Sequence, residues 1–252
     1  MLRPIANTVN LLFMLCGICA HARPLQTNFI SFADAPEWLS EGMLSQATGP
    51  IQDFLQWDLR RLKAFYYTDA SAFSDAAGGN GSYKAFFRRK DGTIHLGPEI
   101  HAANFNRVFS HELVHAIFFQ KYKGAIPAWL EEGFANYLGK VGSVEYAWLV
   151  QQPIPNVTTL GHPSTDPTGS HFHYQTSTAL AEMIAAKCPL SDLFQLSVGR
   201  KIETYLSTFC EIQDLNAEYV KWIKSKAAAL DSQPRAEQLP KNKSASASKR
   251  SK

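Results

Sequence analysis

Apolar residues recur at helical spacing between positions 105 and 119. They occupy positions 105, 108, 109, 113, 116, 117 and 119, which approximates the buried face of an amphipathic α-helix. The same stretch contains two histidines and a glutamate, and burying such groups costs free energy unless a metal ion or hydrogen-bond partners compensate. The pattern therefore predicts a buried helix that carries reactive side chains. The alternative is a pair of core histidines held by hydrogen bonds.

Before this helix, the pattern predicts a small sheet. Short runs of apolar, aromatic and β-branched residues indicate strands at residues 28–32, 63–67, 82–88 and 93–96. Lys90-Asp91-Gly92 separates the last two strands and favours a hairpin, because Asp-Gly accepts the positive φ of a tight turn. A further helix is predicted to begin at Pro50, since proline suits the first helical turn.

After the buried helix, the chain is predicted to be mostly helical. Lys123-Gly124 ends that helix and Pro127 suits the first turn of the next, which leaves a tight turn between two antiparallel helices. Helical patterns follow at residues 178–184 and 191–226. The sequence thus predicts an α+β fold, with a small N-terminal mixed or antiparallel sheet and a mostly helical C-terminal half.

The first 22 residues have the pattern of a secretory signal. Arg3 provides a basic start, an apolar run extends from Leu11 to Ala20, and Ala20-His21-Ala22 forms a small-x-small cleavage site. An apolar run of about ten residues is too short to span a bilayer of ~30 Å as a helix. We therefore expect an exported protein, periplasmic or secreted, without stable membrane insertion after cleavage. An uncleaved anchor is the alternative.

Removal of this signal would leave two cysteines, Cys188 and Cys210, in an exported chain. A pair of cysteines in an oxidising compartment predicts one disulfide. The bond would close a loop of 22 residue steps and contribute on the order of 3 kcal/mol to stability. Two free buried thiols are the alternative.

Composition divides the rest of the chain into one domain and a tail. Residues 23–230 are long enough for a single domain with a sizeable core. Residues 231–252 contain six Lys or Arg and two acidic residues, a net charge of +4 against +3 for the whole chain. Their low apolar content cannot bury a core, so we predict a disordered basic tail. Nothing in this charge pattern indicates a nucleic-acid partner.

The segment His111-Glu112-Leu113-Val114-His115 lies within the predicted buried helix. Residues four apart share one face of a helix, so His111 and His115 can direct two imidazoles at one metal ion. Glu112 lies one position further round, where its carboxylate can reach a water molecule without binding the metal. A carboxylate from the following helix would complete a ligand set that leaves Zn²⁺ one open position, as in zinc hydrolases.

The following helix is similar in sequence to a known group of metallopeptidases. Its pattern Trp-Leu-x-Glu-Gly-x-Ala-x-Tyr consists of Trp129, Leu130, Glu132, Gly133, Ala135 and Tyr137. Together with the paired histidines, it resembles the glutamate zincins (gluzincins), and most of all their compact peptidase MA-like domains. The resemblance implies a zincin-like fold, one Zn²⁺ ion, Glu132 rather than Glu131 as the third ligand, and Glu112 as general base. It also implies that residues 93–96 form an edge strand that holds an extended peptide.

Further positions are candidates around this site. Gly133 would allow the ligand helix to approach the metal helix closely. Asn136 lies one turn after Glu132 and is a candidate to hold a ligand imidazole through its side-chain oxygen, although related zincins often have an aspartate near that turn. Tyr174 loosely resembles a tyrosine at the start of a later helix in MA-like domains, and its hydroxyl is a candidate to stabilise an oxyanion. The alternatives for this role are His171 and His173.

The sequence therefore predicts an exported zinc metallopeptidase that acts on peptides or proteins, with endopeptidase action favoured. Glu112 would accept a proton from the attacking water and pass it to the leaving amine. Two alternatives stay open. The domain could be a catalytically silent zinc-bearing module that binds peptide or glycan, or it could hydrolyse a non-peptide amide in the cell wall. Glu112 favours an enzyme, because a structural metal site gains nothing from an adjacent base.

Overall fold

A mixed sheet forms the first part of the fold. The computed structural model describes residues 23–79, 83–160 and 169–231. Within them, the strands are β1 (Leu25–Gln26), β2 (Ile30–Phe32), β3 (Leu62–Tyr66), β4 (Ala85–Arg88) and β5 (Thr93–Leu96). Their order is β1-β2-β3-β5-β4, with β2, β3 and β5 parallel and the two outer strands antiparallel to their neighbours. The predicted hairpin is therefore confirmed as β4 and β5, in a mixed sheet.

Helices form most of the second part of the described chain. They are α1 (Glu41–Leu55), α2 (Ala70–Ala76), α3 (Ala102–Ile117), α4 (Ala128–Gly139), α5 (Tyr146–Leu149), α6 (Ser170–Lys187), α7 (Leu190–Leu196), α8 (Glu203–Leu206) and α9 (Leu215–Asp231). A π-helical turn (Phe118–Tyr122) extends α3, and a 3₁₀ turn (Val157–Thr159) precedes α6. The predicted α+β class is confirmed, with strands concentrated before α3 and helices after it.

The open edge of the sheet next to α3 is β4, and the prediction of an edge strand at residues 93–96 is wrong. β5 pairs with β3 on one side and β4 on the other, and all four of its residues are buried. Gly97 donates its backbone N–H to the Lys84 carbonyl, and hydrogen bonds alternate along an antiparallel pair. The backbone N–H and C=O groups of Ala85 and Phe87 therefore point away from β5, towards the open edge.

Two predicted helices have different limits in the structure. α1 begins after Ser40, whose side chain accepts a hydrogen bond from the Met43 N–H, and Pro50 lies inside this helix rather than at its start. The missing N–H of a proline removes one hydrogen bond, a loss that the buried face of α1 offsets. The single helix predicted over residues 191–226 is divided into α7, α8 and α9, with positive φ angles at Gly199 and Glu211 between them.

Two glycines let α4 approach the helices on either side of it. A Cβ atom on Gly133 would lie 1.9 Å from the carbonyl oxygen of Ser177 in α6, and one on Gly139 would lie 3.0 Å from the backbone nitrogen of His111 in α3. The expectation that Gly133 faces the metal helix is therefore wrong. Gly133 faces α6, and Gly139 makes the close approach to α3.

The predicted Cys188–Cys210 disulfide is confirmed, with Cα atoms 5.0 Å apart, and it joins the end of α6 to the segment before α9. Within the part of the chain that the structure describes, no helix is long and apolar enough to cross a membrane. The predicted signal at residues 1–22 lies outside the described residues. The predicted tail lies outside them too, except that α9 extends to Asp231.

Candidate metal centre

His111, His115 and Glu132 converge at the contact between α3 and α4. His111 Nε2 lies 3.2 Å from His115 Nε2, and the Glu132 Oε2 atom lies 3.4 Å from the first and 3.5 Å from the second. The four-residue spacing places both imidazoles on one face of α3, and the short turn after Lys123 brings α4 back against that face. These three residues are the ones predicted as metal ligands, and together they form a group that can hold one metal ion.

The charge at this cluster also suits a cation. The side chains of all three residues are mostly buried, with 6–13% exposure. Burial alone would lower the pKa of His115, but the carboxylates of Glu132 and Glu131 hold that pKa well above its usual range. The two carboxylates therefore place negative charge beside the buried imidazole nitrogens. A metal ion bound between these side chains would neutralise that charge.

Glu112 lies beside the cluster, as predicted, and its carboxylate is buried. Burial raises the pKa of Glu112, and the neighbouring Glu132 carboxylate raises it further, while His111, His115 and the backbone of Phe87 in β4 lower it. A raised pKa makes a buried carboxylate a better proton acceptor than an ordinary exposed one. The Phe87 contact places this carboxylate between α3 and the open edge of the sheet.

Glu131 makes a contact that the sequence analysis did not predict. Its Oε1 atom lies 2.8 Å from His115 Nδ1, and the same carboxylate forms an ion pair with Arg89 in the turn after β4. Burial opposes ionisation of Glu131, but the hydrogen bond from His115 and the charge of Arg89 hold its pKa below the usual value. The sequence signal for this role was a second acidic residue in the otherwise apolar first turns of α4.

Asn136 does not hold a ligand imidazole in the structure, contrary to the prediction. Its Nδ2 donates to Thr178 Oγ1 in α6 at 3.0 Å, and no hydrogen bond joins it to a histidine within the described part of the chain. The carboxylate on His115 belongs to Glu131 instead.

Of the three candidates for an oxyanion stabiliser, Tyr174 lies at the site. It lines a cavity of about 520 Å³ together with His111, Glu112 and Glu132. Burial raises the pKa of Tyr174, and the carboxylates of Glu132 and Glu112 raise it further, so its hydroxyl keeps its proton and can donate it in a hydrogen bond. The other two candidates point elsewhere: His171 is exposed and packs against Trp148, and His173 is fully buried and does not line this cavity.

The cavity lies along β4. It is lined on one side by residues of that strand and by Arg89, and on the other by α3 and α4. A second cavity of about 300 Å³ shares His111, Glu112 and Tyr174 with the first, and continues past Ala85 towards Val141. His111, Glu112 and Tyr174 therefore line both cavities, next to an open strand edge.

No family model matches the chain, and no curated protein matches its sequence. The resemblance to the glutamate zincins therefore stays a prediction, based on the residues of α3 and α4. The convergence of two imidazoles and a carboxylate is an independent observation, because it depends on the fold and not on a relative.

Proposed function

We propose that this protein is an exported zinc-dependent peptidase of the glutamate zincin type, and that the cavity along β4 is its active site. The observation that carries this proposal is the position of Glu112. A buried carboxylate lies beside a group of three metal-ligating side chains, in a cavity next to an open strand edge. A site that only stabilised the fold would have no use for a fourth group with these properties.

The spacing of the donor atoms supports zinc as the ion of this site. Ligands arranged tetrahedrally at roughly 2.0–2.1 Å from Zn²⁺ lie about 3.3–3.4 Å apart. The three donor atoms of His111, His115 and Glu132 lie 3.2, 3.4 and 3.5 Å apart. Two imidazoles with one carboxylate also form a known type of catalytic zinc site, in which the fourth position is left for water or substrate.

A peptide is the substrate that suits this cavity. Ala85 presents its outward N–H and C=O groups on the strand that lines the cavity, and Phe87 presents its outward C=O, while the Phe87 N–H is bonded to Glu112. An extended peptide can pair with such an edge through its own backbone. Pairing of this kind places a peptide carbonyl along β4 next to Glu112. It depends on main-chain atoms, so it would accept many sequences.

The residues around a bound peptide then have separate tasks. Zn²⁺ held by His111, His115 and Glu132 would supply a Lewis acid that activates water and polarises the carbonyl. Glu112 accepts a proton from the attacking water and delivers it to the leaving amine nitrogen. The hydroxyl of Tyr174 donates a hydrogen bond to the carbonyl oxygen as negative charge develops on it.

The test is cleavage of a diverse peptide library by the zinc-loaded protein, read by mass spectrometry beside Glu112→Gln. We expect cuts by the wild type, and a loss of about 10²–10⁴-fold in Glu112→Gln, since that is the usual contribution of a general base. Glu112→Gln should still bind one zinc ion. Glu37→Gln, the same change at an exposed position, is the matched control and should cleave normally.

Several outcomes would contradict the proposal. Undiminished cleavage by Glu112→Gln would exclude Glu112 as the base. A zinc-loaded wild type that binds peptides without cutting them would favour a silent binding module. Release of products from isolated peptidoglycan, but not from peptides, would favour hydrolysis of a cell-wall amide.

A further inference from the structure

The carboxylate of Glu131 lies on the far side of His115 from the metal-ligating atoms. His115 Nε2 faces His111 and Glu132, at 3.2 Å and 3.5 Å, while His115 Nδ1 lies 2.8 Å from Glu131 Oε1. An ionised carboxylate only accepts hydrogen bonds, so Nδ1 carries the proton and donates it. In the neutral ring that binds a metal ion, Nδ1 keeps this proton and the lone pair is on Nε2.

The two histidines of the cluster differ in the hydrogen bonding of their Nδ1 atoms. His111 Nδ1 is buried and has no hydrogen-bond partner within the described residues, whereas His115 is held by a charged group. A carboxylate on the second nitrogen of a ligand imidazole fixes the tautomer and the ring orientation and makes the ligand more basic. Of the two histidines, His115 is therefore the one whose ring orientation a charged group fixes.

Arg89 holds Glu131 in turn. One guanidinium nitrogen of Arg89 contacts both carboxylate oxygens of Glu131, and the carboxylate has only 11% exposure while the arginine is half exposed. Without this partner, a buried carboxylate would be drawn towards water. Arg89 follows directly after β4, so the ion pair also joins the end of the open edge strand to the ligand helix.

We propose that Glu131 is the positioning residue for His115, that it strengthens metal binding through the Nδ1 hydrogen bond, and that Arg89 affects metal binding only through Glu131. This inference rests on the metal centre of the proposed function, but not on its peptidase activity. Glu131 is not one of the three residues whose donor atoms converge at the metal centre.

The experiment measures the dissociation constant of Zn²⁺ by competition with a chelating dye, on full-length variants that are folded without metal. Glu131→Ala should bind Zn²⁺ about 10- to 100-fold more weakly, the usual effect of removing such a partner. Glu131→Gln should recover most of this loss, because its amide oxygen still accepts the Nδ1 hydrogen bond. Glu218→Ala, which removes the ion pair with Lys187 far along the chain, is the matched control and should bind as the wild type does.

Arg89→Met is a second, independent variant, and it tests whether Arg89 acts only through Glu131. In the wild-type background it should weaken Zn²⁺ binding less than Glu131→Ala does, because the hydrogen bond to His115 can still form. In the Glu131→Ala background it should have no further effect. If Glu131→Ala does not fold, Glu131→Leu takes its place in both arms, because leucine keeps the side-chain volume without a hydrogen-bond acceptor.

Each possible result separates this inference from the proposed function. Equal Zn²⁺ affinity of wild type and Glu131→Ala would overturn the inference and leave the peptidase proposal standing. An equal effect of Arg89→Met in both backgrounds would overturn the part assigned to Arg89. A wild type that binds Zn²⁺ but cleaves nothing would contradict the peptidase alone, and a wild type that binds no Zn²⁺ would overturn both.

Discussion

Replacing Gly133 by alanine should destabilise the protein through a clash between α4 and α6. The added Cβ atom would lie 1.9 Å from the carbonyl oxygen of Ser177 and 2.4 Å from its carbonyl carbon. Close carbon–oxygen contacts in proteins are about 3.3 Å or longer, so the helices would have to move apart by about 1.4 Å. The obstacle is backbone, which cannot rotate away as a side chain can.

The expected size of this effect follows from two opposing contributions. Overpacking in a core costs about 1–3 kcal/mol, and a clash with the backbone of a second helix belongs at the upper end. Alanine regains up to about 1 kcal/mol of helix propensity over glycine. We therefore expect a net loss of about 2 kcal/mol, or a fall of roughly 4–8 °C in Tm for a domain of this size.

The assay is equilibrium unfolding in urea with a chelator present, because the clash does not depend on metal. Gly42→Ala in the first turn of α1 is the matched control, since its Cβ would meet only the Ser40 hydroxyl at 3.8 Å. This control should be as stable as the wild type or slightly more stable. A Gly133→Ala protein with unchanged free energy of unfolding would refute the close contact between α4 and α6.

Three further predictions test other parts of the molecule. Tyr174→Phe should lower kcat about 10²-fold with little change in KM or zinc affinity, because it removes one donor to the developing oxyanion; weaker zinc binding instead would make Tyr174 a support of the metal centre. Replacing both Cys188 and Cys210 by serine should cost about 3 kcal/mol in urea unfolding, and unchanged stability would show that the disulfide contributes nothing. Burial, aided by Arg88, lowers the pKa of His95 from 6.5 to about 4, so the unfolded chain takes up a proton first as the pH falls. The contribution of His95 to stability should therefore decrease between about pH 6.5 and 4, and an NMR titration that places the His95 pKa near 6.5 would contradict this.

Local patterns were sufficient to predict which three residues converge at the candidate metal centre. The helical period of α3 and the four-residue spacing of His111 and His115 depend only on residues close in the chain. Glu132 followed from its resemblance to a known motif, and the turn that returns α4 to α3 was visible in Lys123-Gly124 and Pro127. For the same reason, the Asp-Gly turn predicted the β4–β5 hairpin, since its two strands are joined by that turn.

Features that depend on contacts between distant elements could not be predicted in this way. The hairpin pattern does not say which of its strands pairs with β3, so β5 was wrongly placed at the edge. Glu131 and Glu132 are adjacent and point in different directions around α4, and only the packed fold shows that Glu131 reaches His115. Its partner Arg89 lies in a turn 42 residues earlier in the chain, where nothing local distinguishes it from other exposed arginines.

The packing of α4 explains how Glu132 is held close to His111 and His115. Ser177 Oγ donates to the Trp129 carbonyl at 2.8 Å, and Asn136 donates to Thr178 at 3.0 Å, so polar bonds fix α4 against α6. Gly139 fixes its other side against α3. Bringing buried polar groups together is costly, and here the helix contacts on both sides of α4 provide the free energy. Helix packing on both sides of α4 therefore fixes the position of Glu132, and a ligand held in place in this way lowers the cost of ordering a metal site.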